Sequence, residues 1–148
     1  MRTIRKLIGL GLAIFFSAIA FAASTTAVFD ERALREECSA FSEAGMRDCL
    51  TEKSKKSQKA LSQAEEKVVD TLSKWDEDSK FLQLAKARLS ASGKAFAKYR
   101  DEQCAFASSL GGGAIGNALE IRRLACVTEL NNRRAAQLRD AVSDLPLK

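Results

Sequence analysis

The sequence predicts an all-α protein: a small antiparallel three-helix bundle with a disulfide-stapled N-terminal arm. Three observations carry that expectation. Beyond its first 22 residues the chain is rich in Ala and Leu and poor in Ile and Tyr, a helix-forming composition with few strand formers. Apolar residues recur at steps of three and four over long windows, the period of one helix face. Four cysteines in 148 residues offer covalent support to a core that Ala, which buries little area, leaves lean.

Residues 1–22 read as a segment apart. Arg2, Arg5 and Lys6 precede an uncharged run over residues 7–22 that ends in Ala20-Phe21-Ala22. A basic start, an apolar stretch and a small-residue cleavage site make a secretory signal peptide. The run falls short of the ~20 residues of a membrane-spanning helix; an uncleaved N-terminal anchor is the rival reading. Cleavage is expected after Ala22 or Ala23, which places the protein in the periplasm or outside the cell with no membrane span. The first cysteine is Cys38, too distant for lipid attachment at the cleavage site. Losing three basic residues takes the formal charge from +5 to +2. Residues 23–37 form a leader to the processed chain, and residues 38–145 the helical domain.

Within the leader, residues 31–37 suit a short helix. The first long helix is expected to start with Ser42 as N-cap and Glu43 in its first turn, and to run toward Trp75. Leu61, Ala64, Val68, Leu72 and Trp75 share one face. Lys53, Lys55, Lys56 and Lys59 make its early part polar all round: either a solvated helix end or a basic contact patch for an acidic partner. Asp76, Glu77 and Asp78 mark the next boundary and suit a helix N-terminus, where the macrodipole favours carboxylates.

The second helix has the most regular pattern. Leu82, Ala85, Leu89, Ser92, Phe96, Tyr99, Gln103, Phe106 and Leu110 alternate by three and four, a heptad seam. That seam serves either the protein's own bundle or, in an envelope scaffold protein, a partner helix. Residues 108–113 (SSLGGG) break the chain. The third helix is expected from residues 114–117 to about Ser143, with Leu119, Cys126, Leu130, Leu138, Ala141 and Leu145 on its apolar face. Arg122, Arg123, Arg133, Arg134 and Arg139 decorate it, and Pro146 ends it.

In an exported chain an even cysteine count reads as disulfides. Cys38 and Cys49 would lie about 16 Å apart on one continuous helix, beyond the ~7 Å that a bridge allows. Their pairing therefore requires a chain reversal between them, for which residues 39–45 supply small side chains. Cys104 and Cys126 flank the glycine break, and helices leaving it would bring them together. Cys38–Cys49 with Cys104–Cys126 is the pairing favoured by spacing; Cys49–Cys104 with Cys38–Cys126 stays compatible with it. No C-x-x-C pair exists, so a four-cysteine metal site is a poor fit.

The chemistry is that of a binder. Without His there is no Ser-His-Asp triad and no Cys-His pair. Gly111, Gly112 and Gly113 are not followed by G-K-[ST] and do not follow a strand, so no phosphate loop is present. A charge of +2 is no footprint for nucleic acid. No enzyme activity, cofactor or metal is expected.

The motif KAFAKYRDEQC over residues 94–104, the glycines after it, and Cys126-Val127-Thr128-Glu129-Leu130 with Arg134 and Leu138 resemble the LprI-like lysozyme-inhibitor family. Cys38 and residues 42–49 extend the resemblance upstream, so that it covers residues 38–145. Phe96 stands where that family usually has Trp, Gln58 where it often has Asp, and Asn131 where Thr is usual. The resemblance implies a small exported four-cysteine helical domain whose partner is a lysozyme-type muramidase, blocked by steric binding. It also marks Phe96, Tyr99, Arg100, Asp101, Leu130 and Arg134 as motif residues with a structural part to play. Arg100 and Asp101, being neighbours in sequence, are each expected to pair with another helix, Asp101 with an arginine of the third; a guanidinium meeting an acidic cleft is the functional alternative for Arg100. Residues 108–117 are the candidate segment for insertion into the partner's cleft, with Ser108, Ser109, Gly111, Gly112, Gly113 and Asn117 facing its catalytic carboxylates.

Overall fold

A computed structural model describes residues 30–114 and 116–148. The expected signal peptide, residues 1–22, and residues 23–29 of the leader lie outside the described residues. Among the described residues four helices form: α1 (Glu31–Glu37), α2 (Glu43–Lys74), α3 (Ser79–Ser109) and α4 (Ala118–Asp140). The three expected long helices are present. The arm adds a fourth, so the three-helix description is corrected to three long helices and one short one.

Local chemistry explains the boundaries. The Asp30 carboxylate caps α1 by accepting from the Arg32 N–H at 2.9 Å, and the Ser42 hydroxyl caps α2 by accepting from the Gly45 N–H at 3.3 Å. Each satisfies a donor that the first helical turn would leave free. Between α1 and α2, residues 38–41 reverse the chain, and Cys38 bonds to Cys49 with Cα atoms 5.9 Å apart. Cys104 bonds to Cys126 across the glycine turn, at 5.5 Å. The bridges span 11 and 22 residues of sequence, and loops of that size stabilise by about 3 kcal/mol each in the chain-entropy account. At the far end Trp75 pairs with Leu147 in an isolated antiparallel bridge. The Lys148 N–H donates to the Lys74 carbonyl at 2.9 Å, so the C-terminal residues lace onto the α2–α3 turn.

The bundle is built around α4, which packs against each of the other three helices. Leu34, Cys38, Leu50, Ile121, Leu124 and Ala125 join α1, α2 and α4. Leu61, Ala64, Val68, Leu72, Ala135 and Leu138 join α2 and α4, with Leu89 and Phe96 of α3 against them. Cys104, Ala107, Cys126 and Leu130 join α3 and α4. A helix so enclosed buries more than one stripe, and Ile121, Leu124, Ala125, Thr128, Asn131 and Ala135 are buried outside the face expected from sequence. The helix also ends earlier than expected: α4 stops at Asp140, Ala141 is exposed, and Val142 and Leu145 pack from the following turn instead.

The heptad seam of α3 holds for only half its length. Leu82, Ala85, Leu89 and Phe96 face inward, but Tyr99, Phe106 and Leu110 are 54%, 57% and 60% exposed. A strict seven-residue repeat drifts by about 20° per heptad on a straight helix, or roughly 80° over four. The inward face continues instead through Arg100, Cys104 and Ala107, in the register that the bond to Cys126 requires. The two readings of the seam are thereby divided: Leu89 and Phe96 serve the protein's own core, while Phe106 does not.

Candidate functional site

The glycine turn is a tight structure docked on its surroundings. Gly111 packs so closely that a Cβ there would lie 2.4 Å from Leu119 Cδ2. The Ser108 hydroxyl donates to the Leu119 carbonyl at 3.1 Å, and that of Ser109 to the Phe106 carbonyl at 2.7 Å. The Asn117 N–H donates to Glu43 Oε1 at 3.0 Å, while its side-chain oxygen accepts from Arg47 Nη1 at 3.3 Å. Glu43 and Arg47, at the start of α2, thus anchor the far end of the turn. The hydroxyls of Ser108 and Ser109, the close packing of Gly111 and the backbone N–H and side-chain oxygen of Asn117 are spent on holding the loop. Gly112 and Gly113 differ: nothing stands within 4 Å of a Cβ at either, and Gly112 has a φ of +59°, a left-handed conformation that glycine adopts without strain. They form an open tip beside the exposed Phe106 and Leu110.

The motif residues converge on the middle of α3. Arg100 reaches inward, its side chain 19% exposed. Its Nη1 donates to Asn131 Oδ1 at 3.1 Å and to Gln58 Oε1 at 3.3 Å. Asn131, without solvent exposure, donates in turn to Ser57 Oγ at 3.2 Å. One guanidinium and one amide thereby tie α2, α3 and α4 together through groups that need partners once removed from water. Asp101 does not pair with an arginine of α4 as expected. It is largely exposed and accepts from Arg100 Nε and Nη2 at 3.3 and 3.1 Å, because the long arginine side chain folds back over its neighbour. Leu130 is buried, and Phe96 touches two of the core clusters. Arg134 Cζ and Arg100 Cζ lie 5.7 and 5.9 Å from the centre of the Phe96 ring, within cation–π range.

Ser57 had not been singled out by the sequence pattern, and Gln58 and Asn131 only as departures from the family's usual residues, although the signal for burial was there. Ser57 sits four residues before Leu61, and Asn131 falls in register between Leu124 and Leu138. At both positions the polar side chain is a buried contact. The lysines of α2 are partly spoken for: Lys53 bonds to Glu37 of α1, and Lys55 pairs with Glu52 at 2.7 Å.

The electrostatics follow from burial and pairing. Burial raises the Glu129 carboxyl above the ordinary glutamate range, and the bonded Arg133 only partly counters it. Glu120 is lowered, chiefly by its hydrogen bond from Arg123. Among the described residues no cluster of His, Cys, Asp and Glu could hold a metal ion, and no helix is long and apolar enough to cross a membrane.

The family described as Lysozyme inhibitor LprI matches residues 36–138, a span that contains both disulfides, the Arg100 network and the glycine turn. The chain belongs to the LprI family. No curated protein and no solved structure matches it. Membership gives the inhibitor-like character of the domain and implies a protein partner such as a lysozyme. Two disulfides in an LprI domain are also what an exported protein carries.

Proposed function

We propose that this LprI-family protein is exported, loses residues 1–22, and binds a lysozyme-type muramidase in the periplasm or outside the cell, blocking it sterically and without catalysis. Residues 23–37 then lead into the inhibitory domain, residues 38–145. The observation that carries this reading is the family match across the whole stapled domain, joined to an open tip at Gly112 and Gly113. That tip is held rigidly by the Cys104–Cys126 bridge and by the bonds of Ser108 and Asn117. A rigid projection loses little conformational entropy on docking, which favours a plug. The tip itself offers backbone and apolar neighbours, so that side-chain hydroxyls are not its means of contact.

The test is inhibition of several lysozymes by the processed protein, with disulfides intact and reduced, followed by clearing of cell-wall suspensions. Inhibition by the oxidised form is expected, and its loss in Gly113→Arg with an unchanged helical circular dichroism signal. No inhibition at tens of micromolar, corresponding to binding weaker than about −6 to −7 kcal/mol, would overturn the inhibitor reading. Full inhibition by Gly113→Arg would overturn the role of the tip alone.

A further inference from the structure

About four helical turns from the tip, on the flank where α3 meets α4, lies a groove of about 300 Å³ lined by Phe96, Tyr99, Leu130, Arg133, Arg134 and Gln137. Its two arginines are not equivalent. Arg133 is bonded to Glu129. Arg134 has no carboxylate within ion-pair distance among the described residues. Its side chain makes one hydrogen bond, from Nη2 to Ser92 Oγ at 2.7 Å, and its Nε is buried without an acceptor. A guanidinium carries five N–H donors in a planar fork matched to carboxylates. Here the fork lies against the Phe96 ring, held in place with a positive charge that no carboxylate among the described residues pairs with.

The surroundings suit a protein contact. Tyr99, Phe106 and Leu110, displaced from the core by the drift of the heptad seam, form an exposed stripe running from the groove to the glycine tip. It spans about 16 Å of helix, well inside a standard interface patch of ~800 Å² per partner. Exposed Tyr beside an uncompensated Arg is the composition that dominates binding energy at interfaces. The sequence offered Arg100 as the guanidinium for an acidic cleft; the structure spends Arg100 on the core and leaves Arg134 with the spare donors.

We propose that the α3–α4 groove is a carboxylate-capturing subsite. In this assignment, which rests on the muramidase reading above, an ionised carboxylate of the partner's substrate cleft docks on Arg134, while Phe96 and Tyr99, which line the same groove, cover it from water. Glycoside hydrolysis uses two carboxyl groups flanking the scissile bond, one of them ionised, so the occupant's charge complements that of Arg134. A charge-assisted pair of this kind gains strength as the stripe excludes solvent.

The test measures binding of a c-type lysozyme, and of the same enzyme with its cleft aspartate changed to asparagine, by calorimetry at two salt concentrations. Tyr99→Ala, Arg134→Gln and Arg134→Lys are compared with the parent protein, each checked for unchanged melting and circular dichroism. Tyr99→Ala and Arg134→Gln are expected to weaken binding of the unmodified enzyme at least tenfold, and Arg134→Lys less. The penalty of Arg134→Gln should largely disappear against the asparagine enzyme. Parent-like binding by both Tyr99→Ala and Arg134→Gln, or an equal penalty against both enzymes, overturns the subsite while leaving the inhibitor reading intact. A parent protein that binds no lysozyme overturns both. Tyr99 is exposed and its hydroxyl bonds to no described residue, so its variant keeps the proposal testable even if Arg134→Gln disturbs the Ser92 contact.

Discussion

Replacing Arg100 by Leu tests whether a polar network, and not apolar packing alone, sets how α3 lies on α2 and α4. The bond from Arg100 Nη1 to Asn131 Oδ1 is 3.1 Å long and involves an ionised donor. Hydrogen bonds to charged groups contribute roughly 1.5–3 kcal/mol, and leaving a buried acceptor unpaired costs about 1–3 kcal/mol. These ranges overlap in what they count, and the apolar leucine recovers part of the loss. The expected cost is about 3 kcal/mol, or roughly 10 °C in Tm for a domain of this size. Asn131→Leu alone should cost less, since Arg100 keeps Gln58 and Asp101 as acceptors. In the double variant no buried orphan remains, because Ser57 still donates to the Ser54 carbonyl at 2.8 Å. The pair of changes should therefore be less harmful than the sum of the singles by at least ~1 kcal/mol. Urea denaturation followed by far-UV circular dichroism, with disulfides intact, measures all three. Additivity of the single losses to within ~0.5 kcal/mol would falsify the idea that Arg100 and Asn131 act as a unit.

Two other expectations concern the turn and the buried carboxylate. Gly111→Ala should destabilise by about 1 kcal/mol or more, since its Cβ meets Leu119 and lies 3.2 Å from the Ser108 carbonyl oxygen. Gly113→Ala should stay within ~0.5 kcal/mol of the parent, and equal effects at the two glycines would contradict the docked-turn geometry. Glu129, whose pKa burial raises, binds its proton more tightly in the folded than in the unfolded chain, so its contribution to stability falls as pH rises through that interval. Glu129→Gln, which keeps an acceptor for Arg133, should accordingly melt higher than the parent at neutral pH. That advantage should fade as pH drops below the ordinary glutamate value of about 4.3; a difference in Tm that does not change with pH would refute the assignment.

Much of the architecture was legible because it depends on neighbours in sequence. Ser42 as a cap, the reversal between Cys38 and Cys49 and the glycine break before α4 follow from residues close enough to constrain one another, while cysteine spacing favoured the observed disulfide pairing over Cys49–Cys104 with Cys38–Cys126 without deciding between them. The candidate site was legible in part. The glycine turn was found, but four of its six named residues proved to hold the loop together, and only Gly112 and Gly113 stand open. The burial of Ser57 and Asn131 was not legible because a polar side chain at an apolar step shows its role only when its partner from another helix is seen.

The sequence by itself determined the number of the long helices, the start of the first of them and the family to which the chain belongs, and it favoured one of the possible cysteine pairings, since caps, breakers, cysteine spacing and motif are local properties. Only the tertiary structure decided which faces are buried. It put α4 at the centre, turned Tyr99, Phe106 and Leu110 outward, and drew Arg100 inward while leaving Arg134 with free donors. The reason is physical: helical periodicity fixes which residues share a face, but whether that face meets water depends on where other helices come to rest. In this bundle the Cys104–Cys126 bridge and the Arg100–Asn131 contact set that position, and both act between residues far apart along the chain.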